Sequence, residues 1–180
     1  MLTEGLEIAQ ARTPAKKTGK HAHSGTVGLV LVAVAVAMLI ASFLFPVLMI
    51  SGDSMEPGLN DGDFVLLIKT RHVDSGDLIC FRWNGKTLLK RVVGRPGDWI
   101  MMDRTGRVYV NGALLDEPYV EEFGFGENND LTYPFQVPEG SCFVIGDNRP
   151  VSMDSRNILV GCVRYDQIIG KVVIKLRHKN

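Results

Sequence analysis

The sequence has no surplus of charge of either sign and little cysteine, and each shortage argues against a class of function. Lysine plus arginine and aspartate plus glutamate number 20 each among 180 residues, so the net charge is zero. No overall positive field favours a nucleic-acid partner. The 3 cysteines form no CxxC pair, and none of the 4 histidines stands at metal-ligand spacing from a cysteine. We expect no nucleic-acid partner, no bound metal and no cofactor.

An odd number of cysteines leaves at least one thiol unpaired, or paired with another chain, in a protein outside the cytoplasm. The three are Cys80, Cys142 and Cys162. Without a cluster of metal ligands around them, we expect these thiols to be small buried residues.

Charge is missing altogether from residues 27–50, a run of 24 residues. As a helix this run would be about 36 Å long, enough to cross the hydrocarbon core of a bilayer, which is about 30 Å thick. A buried core helix and a cleaved signal peptide are the alternatives, but the apolar part of a signal peptide is only about 7–15 residues long. The run predicts a single transmembrane helix over residues 27–50, with the lipid bilayer as a partner.

The charges that flank this run predict its orientation. Residues 1–26 carry four basic residues against two acidic ones, whereas residues 51–63 carry four acidic residues and no basic one. The positive-inside rule then places the short tail of residues 1–26 in the cytoplasm and residues 51–180 outside the cell membrane. A basic amphipathic interaction segment is the rival interpretation of the tail. The basic residues of the tail are Arg12, Lys16, Lys17 and Lys20.

Residues 51–180 are predicted to be mainly β, a compact sheet or barrel-like domain behind the helix. Asn84-Gly85 separates two apolar runs at residues 77–83 and 86–93, and Asn111-Gly112 separates residues 107–110 from 113–115. Asn-Gly between such runs is the strongest short signal of a β-hairpin. Further strands are predicted at residues 64–68, 141–145 and 167–176.

One stretch differs from its surroundings because it carries only negative charge. Residues 116–130 contain six acidic residues and no basic one. We expect a solvated surface loop between two β portions, with a functional acidic patch as the alternative.

The candidate chemistry lies in four short blocks at residues 51–59, 62–69, 90–98 and 146–156. None of them contains a histidine, so a Ser-His-Asp triad has little support and lysine is the available base. Lys90 has apolar neighbours, and burial disfavours its ammonium form. Lowering its pKa to roughly 8 needs about 3 kcal/mol, which is within the range of buried lysines. The plainer interpretation is a turn serine at Ser54 and a solvated strand lysine at Lys90.

In content and order, the four blocks and the span before them resemble bacterial type I signal peptidases over about residues 26–176. The resemblance implies a membrane-anchored serine endopeptidase that removes signal peptides from secreted preproteins, with Ser54 as nucleophile and Lys90 as general base. It implies that the Ser152 hydroxyl orients the lysine amine above a polar framework. The framework residues would be Asp147, Arg149, Asp154 and Arg156, and the residues lining the substrate pockets would be Met55, Leu59 and Leu89.

The chain departs from this family in three places. Gly52 stands where many relatives carry a hydroxyl that donates to the oxyanion, and loss of one such donor can cost about 10²–10³ in rate. Residues 157–161 are two longer than the usual aromatic-glycine connection. The region between the lysine block and the last block is short, which implies a reduced second β domain.

Three other functions remain open from the sequence. A specialised peptidase for pilin or conjugation substrates would use the same chemistry. A self-cleaving repressor-like protease would share the catalytic pair, but it needs a DNA-binding domain that residues 1–50 do not offer. A tethered β-domain binding module is not an enzyme, and it predicts that Ser54→Ala leaves function intact.

Overall fold

The computed structural model describes residues 22–125 and 129–177, with side chains from residue 26 onward. Helix α1, Ala22–Leu44, comes first. The chain divides into one unit that ends at Ile40 and a second that begins at Ala41. The helix is long and apolar enough to cross a membrane over Thr26–Leu44, where its mean hydropathy is 2.9. The predicted cytoplasmic tail lies almost wholly outside the described residues.

The predicted helical boundary at residue 50 was wrong, because α1 ends at Leu44. Pro46 explains the early end, since proline lacks a backbone N–H and disfavours the α conformation in the residue before it. The last helical hydrogen bond runs from Phe45 N to Ala41 O at 2.8 Å. Residues 47–49 form a strand instead, and this strand pairs with the segment that begins at Phe64.

Eleven strands and a short 3-10 helix, Tyr165–Gln167, follow the membrane-type helix among the described residues, so the predicted mainly β fold is confirmed. The strands are β1 Val47–Met49, β2 Phe64–Ile68, β3 Leu78–Trp83, β4 Lys86–Gly94, β5 Trp99–Met102, β6 Val108–Val110, β7 Ala113–Leu114, β8 Phe135–Gln136, β9 Ser141–Ile145, β10 Val163–Arg164 and β11 Ile168–Leu176. A seven-stranded sheet has the order β1-β2-β11-β3-β4-β9-β10, and a four-stranded sheet has the order β7-β6-β5-β8. All pairs are antiparallel.

Both predicted Asn-Gly hairpins are present. Asn84 and Gly85 have φ values of +46° and +75°, and they join β3 to β4 with Trp83 opposite Lys86. Asn111 and Gly112 join β6 to β7 in the same way. Positive φ at both central residues is the requirement of the type I′ turn, whose twist matches that of paired strands.

Strand β4 lies where three clusters of buried apolar side chains meet. Leu89 packs in a cluster with Met55 and Leu59, whereas Val92 and Val93 belong to the other two clusters. A strand buried on both faces has little freedom to shift its register. Lys90, between these positions, is therefore held in a fixed place.

The acidic stretch after β7 is only partly the surface loop that its composition predicts. Glu121 and Glu122 are exposed, but Glu117 is only 5% exposed and Val120 is also buried. Glu117 turns inward because it forms an ion pair with the buried guanidinium of Arg149. Residues 126–128 of the predicted loop lie outside the described residues.

Candidate active site

Ser54 lies in the connection between β1 and β2, residues 50–63. Ile50 N donates to Asp63 O at 2.7 Å, which closes the base of the connection. Gly52 has φ of +95°, a conformation that favours glycine, and its N–H donates to Asp61 Oδ1 at 2.8 Å. These hydrogen bonds fix the backbone on either side of the serine. They also engage the Gly52 N–H, so it is not free to act as a second oxyanion donor.

The last sequence block holds this connection in place from the other side. Asn148 N donates to Ser54 O at 3.2 Å, and Asn148 Nδ2 donates to Asp53 O at 3.1 Å. The backbone of the serine is thus bonded to a residue more than ninety positions away in the sequence.

Lys90 reaches Ser54 from the middle of β4. Its Nζ donates a hydrogen bond to Ser54 Oγ at 2.7 Å, and the lysine is only 2% exposed. Burial lowers the pKa of Lys90 from 10.5 to about 8, against the opposing charges of Asp154 and Asp147. With that pKa, roughly a tenth of the amine is neutral at pH 7. A neutral amine at this distance can take the proton of the serine hydroxyl.

Two ion pairs, one partly buried and one buried, lie beside Ser54 and Lys90. Arg91 binds Asp147 through two hydrogen bonds of 2.8 and 2.6 Å, and Arg156 binds Asp154 at 2.8 and 2.9 Å. Such forked contacts fix direction as well as distance. Sequence reasoning did not single out Arg91, although it directly follows Lys90 in the third block.

Gly146 connects the ion-paired residues to Ser54. Its N–H donates to Asp154 Oδ2 at 3.0 Å, and its carbonyl accepts from Arg149 Nε at 3.1 Å. A Cβ at this position would lie 2.1 Å from Ser152 Oγ and 2.5 Å from Ser54 O. Gly146 is therefore packed directly against both serines.

Ser152 is brought to the site but does not bind the lysine in this structure. It is 3% exposed, and its Oγ makes no hydrogen bond within the part of the chain that the structure describes. The hydroxyl is thus a buried polar group without a partner, which is rare outside functional sites.

A cavity of about 170 Å³ lies beside the Ser54–Lys90 pair. Met55 and Leu89 line it, whereas Leu59 is buried in the core cluster next to them. The walls come from β1 and the residues after it, from the first half of β4, and from Cys80 on β3. Lining residues that sequence reasoning did not name are Leu48, Met49, Ile50, Ser51, Cys80, Thr87 and Leu88. For most of these lining residues, the only signal in the sequence was that they stand next to predicted site residues.

Comparison with known proteins identifies the family of the chain. Residues 24–176 match the family described as "Signal peptidase, peptidase S26". The chain is 35% identical over 184 residues to Signal peptidase I T of Bacillus subtilis, which covers 94% of this chain and 92% of that protein. It is 39% identical to Signal peptidase I of Bacillus licheniformis over 78% of this chain and 81% of that one.

Among solved structures, the chain is similar to a signal peptidase I from Enterococcus faecalis. That match has a TM-score of 0.46 and 31% identity, and it covers 57% of this chain and 97% of the other. The match over residues 24–176 and the identity to the Bacillus proteins show that the chain belongs to the signal peptidase family, peptidase S26.

Proposed function

We propose that this serine peptidase removes signal peptides from secreted preproteins with Ser54 as nucleophile and neutral Lys90 as general base. The observation that carries the proposal is the 2.7 Å hydrogen bond between the lysine amine, nearly inaccessible to solvent, and the serine hydroxyl. Burial supplies the neutral amine, and the fixed distance supplies the proton path.

The reaction follows in two steps. Lys90 takes the proton of Ser54 as Oγ attacks the scissile carbonyl carbon, and the peptide C–N bond breaks as the leaving amine receives that proton. The product is an ester between Ser54 and the signal peptide. Lys90 then takes a proton from water, whose oxygen attacks the ester carbonyl carbon. The bond from that carbon to Ser54 Oγ breaks, Lys90 returns the proton to Oγ, and the signal peptide leaves with a free carboxyl group.

Ser152 is assigned the task of orienting the lysine amine. Its buried hydroxyl has no hydrogen-bond partner among the described residues, and it lies near Ser54 across Gly146. When Ser54 Oγ is acylated, the amine loses its partner and Ser152 Oγ can accept its hydrogen bond. The two ion pairs, Arg91–Asp147 and Arg156–Asp154, keep the surrounding backbone fixed.

The cavity beside the pair fits the substrate class implied by the family resemblance, which has small side chains at the first and third positions before the cut. An extended peptide lying between β1 and β4 would place alternate side chains into the wall formed by Met55 and Leu89. Leu59 supports that wall from the core.

Helix α1 is assigned the role of a single membrane anchor. The charge difference across it supports a cytoplasmic N-terminus and a catalytic unit outside the cell membrane. Anchoring raises the effective concentration of the enzyme around membrane-inserted signal peptides.

The test uses the full-length protein in detergent with a secreted preprotein that carries an Ala-x-Ala site. Mass spectrometry locates the cut for wild type, Ser54→Ala, Lys90→Ala and Ser152→Ala, with Lys86→Ala as an exposed control on the same strand. We expect one cut after the second alanine in wild type and control, none in the first two variants, and slower cleavage in Ser152→Ala. A chelator should change nothing.

Cleavage that persists in Ser54→Ala would contradict the proposed mechanism. A folded wild type that cuts no general preprotein would point instead to a specialised peptidase, and full function of Ser54→Ala in cells would point to a binding module.

A further inference from the structure

The segment of residues 116–125 contacts both arginines that flank the catalytic pair. Glu117 forms an ion pair with Arg149, and the side chains of both residues are 1% exposed. Tyr119 donates its hydroxyl to Glu117 Oε1 at 3.1 Å, while the Arg91 guanidinium stacks 3.8 Å above its ring. One short stretch therefore holds two cations of the framework at once.

Each of these arginines is linked to one of the reacting groups, Arg149 through Gly146 and Arg91 as the chain neighbour of Lys90. Arg149 Nε binds the carbonyl of Gly146, the residue packed against Ser54 O and Ser152 Oγ. Arg91 follows Lys90 in β4 and is clamped to Asp147. The nucleophile and the base are thus supported through separate arginines that meet at the Glu117–Tyr119 pair.

The far end of the segment is also fixed. Arg156 Nη1 donates to Gly124 O and Phe125 O, both at 3.1 Å. A Cβ on Gly106, in the turn between β5 and β6, would lie 2.4 Å from Gly124 N, so the two backbones are in close contact. The segment is bound to the small sheet on one side and to the catalytic framework on the other.

We propose that Glu117 is a positioning residue for catalysis, which holds Arg149 on Gly146 and so keeps Ser54 and Ser152 aligned with Lys90. This inference rests on the proposed roles of Ser54 and Lys90. Glu117 contacts neither of them, so it acts only through its neighbours. A carboxylate buried this deeply is costly unless it is paired, and the pairing partner here is the residue that supports the nucleophile.

The test variant removes the negative charge of Glu117. Glu117→Gln keeps the size and the acceptor for Tyr119, but it leaves the buried Arg149 without a counter-ion and frees it to move away from Gly146. A displacement of about 1 Å at a catalytic group can cost about 10²-fold in rate. Tyr119→Phe is milder, because it removes one hydrogen bond and keeps the ring beneath Arg91.

The experiment measures kcat and KM separately on a preprotein, with the full-length protein in detergent, well below the unfolding temperature of each variant. We expect Glu117→Gln to lower kcat by about 10²-fold with KM within about threefold, and Tyr119→Phe to lower kcat by roughly three- to tenfold. The matched control is Glu121→Gln, an exposed acidic residue of the same segment, which should leave both constants unchanged.

If Glu117→Gln has a lower unfolding temperature but an unchanged kcat per folded molecule, the inference is overturned. Glu117 would then contribute to stability and not to catalysis. If Glu117→Gln does not fold, Tyr119→Phe decides, and an unchanged kcat in that variant has the same meaning. If the wild type is active, Ser54→Ala is inactive and Glu117→Gln keeps its kcat, only this inference is wrong. An inactive wild type would sink the proposed function and this inference together.

Discussion

At the scale of single residues, the solvation of Lys90 links the fold to the chemistry. Its folded pKa of about 8 lies below the 10.5 of a solvated lysine because of burial. The unfolded chain binds more protons between these two values, so folding stability rises with pH through that window. Below pH 8 the buried ammonium costs about 3 kcal/mol relative to an unperturbed lysine.

The same pKa predicts how activity depends on pH. Because the proposed mechanism needs the neutral amine of Lys90 to take the Ser54 proton, kcat/KM should rise about tenfold per pH unit below pH 8 and level off above it. Initial rates on a preprotein from pH 6 to 10 would measure this, with Lys86→Ala expected to give the same curve. A rate independent of pH between 6 and 9 would rule out Lys90 as the titrating base.

The resemblance of the four sequence blocks to signal peptidases predicted Ser54 and Lys90 as the catalytic pair, and the structure places Lys90 Nζ 2.7 Å from Ser54 Oγ. The sequence did not identify Arg91 or Glu117 as partners in the framework. Whether a charged residue is solvated or paired depends on contacts made after folding. Glu117 belongs to a run of six acidic residues, and nothing local separates it from its exposed neighbour Glu121.

At the scale of secondary structure, β11 joins the strand pair β1-β2 to the rest of the large sheet. It pairs with β2 on one side and β3 on the other, and β3 in turn holds the strand of Lys90. A Cβ on Gly170 would lie 2.6 Å from Ile68 O, so only glycine permits this close approach of two backbones.

Gly170→Ala should therefore force β11 away from β2 and lower the free energy of unfolding by about 1–3 kcal/mol. Thermal unfolding in detergent is the measurement. Gly124→Ala is the control, because its Cβ would meet nothing within 4 Å, and it should unfold within a degree or two of wild type. Equal unfolding temperatures for the two variants would show that the strands adjust at little cost.

Elements with strong local signals were predicted well, above all the two Asn-Gly hairpins and the strands beside them. Strands β8 and β10 have only two residues each, so tertiary pairing rather than sequence pattern defines them. Strand β1 lay hidden in the apolar run, and Pro46 was its only marker. The inward turn of Glu117 was likewise invisible before its partner was placed.

At the scale of the whole molecule, the orientation across the membrane remains a prediction from charge. In intact cells, a peptide tag after Asn180 should bind antibody from outside, whereas a tag at Met1 should bind only after permeabilisation. Replacing Arg12, Lys16, Lys17 and Lys20 with glutamine should increase the inverted fraction. Exposure of the Met1 tag on intact cells would overturn the predicted topology.

Helix α1 has a further consequence for how this protein can change over time. From Thr26 to Leu44 every residue is exposed, and none of those positions carries a charge. A surface that is apolar all round gives a neighbouring helix no preferred side. Substitution along this stretch is then constrained only by its length and its hydrophobicity. Its sequence is therefore free to diverge between related proteins, whereas the sequence of the loop that carries Ser54 is not. Another apolar helix of equal length should therefore serve equally well as the anchor.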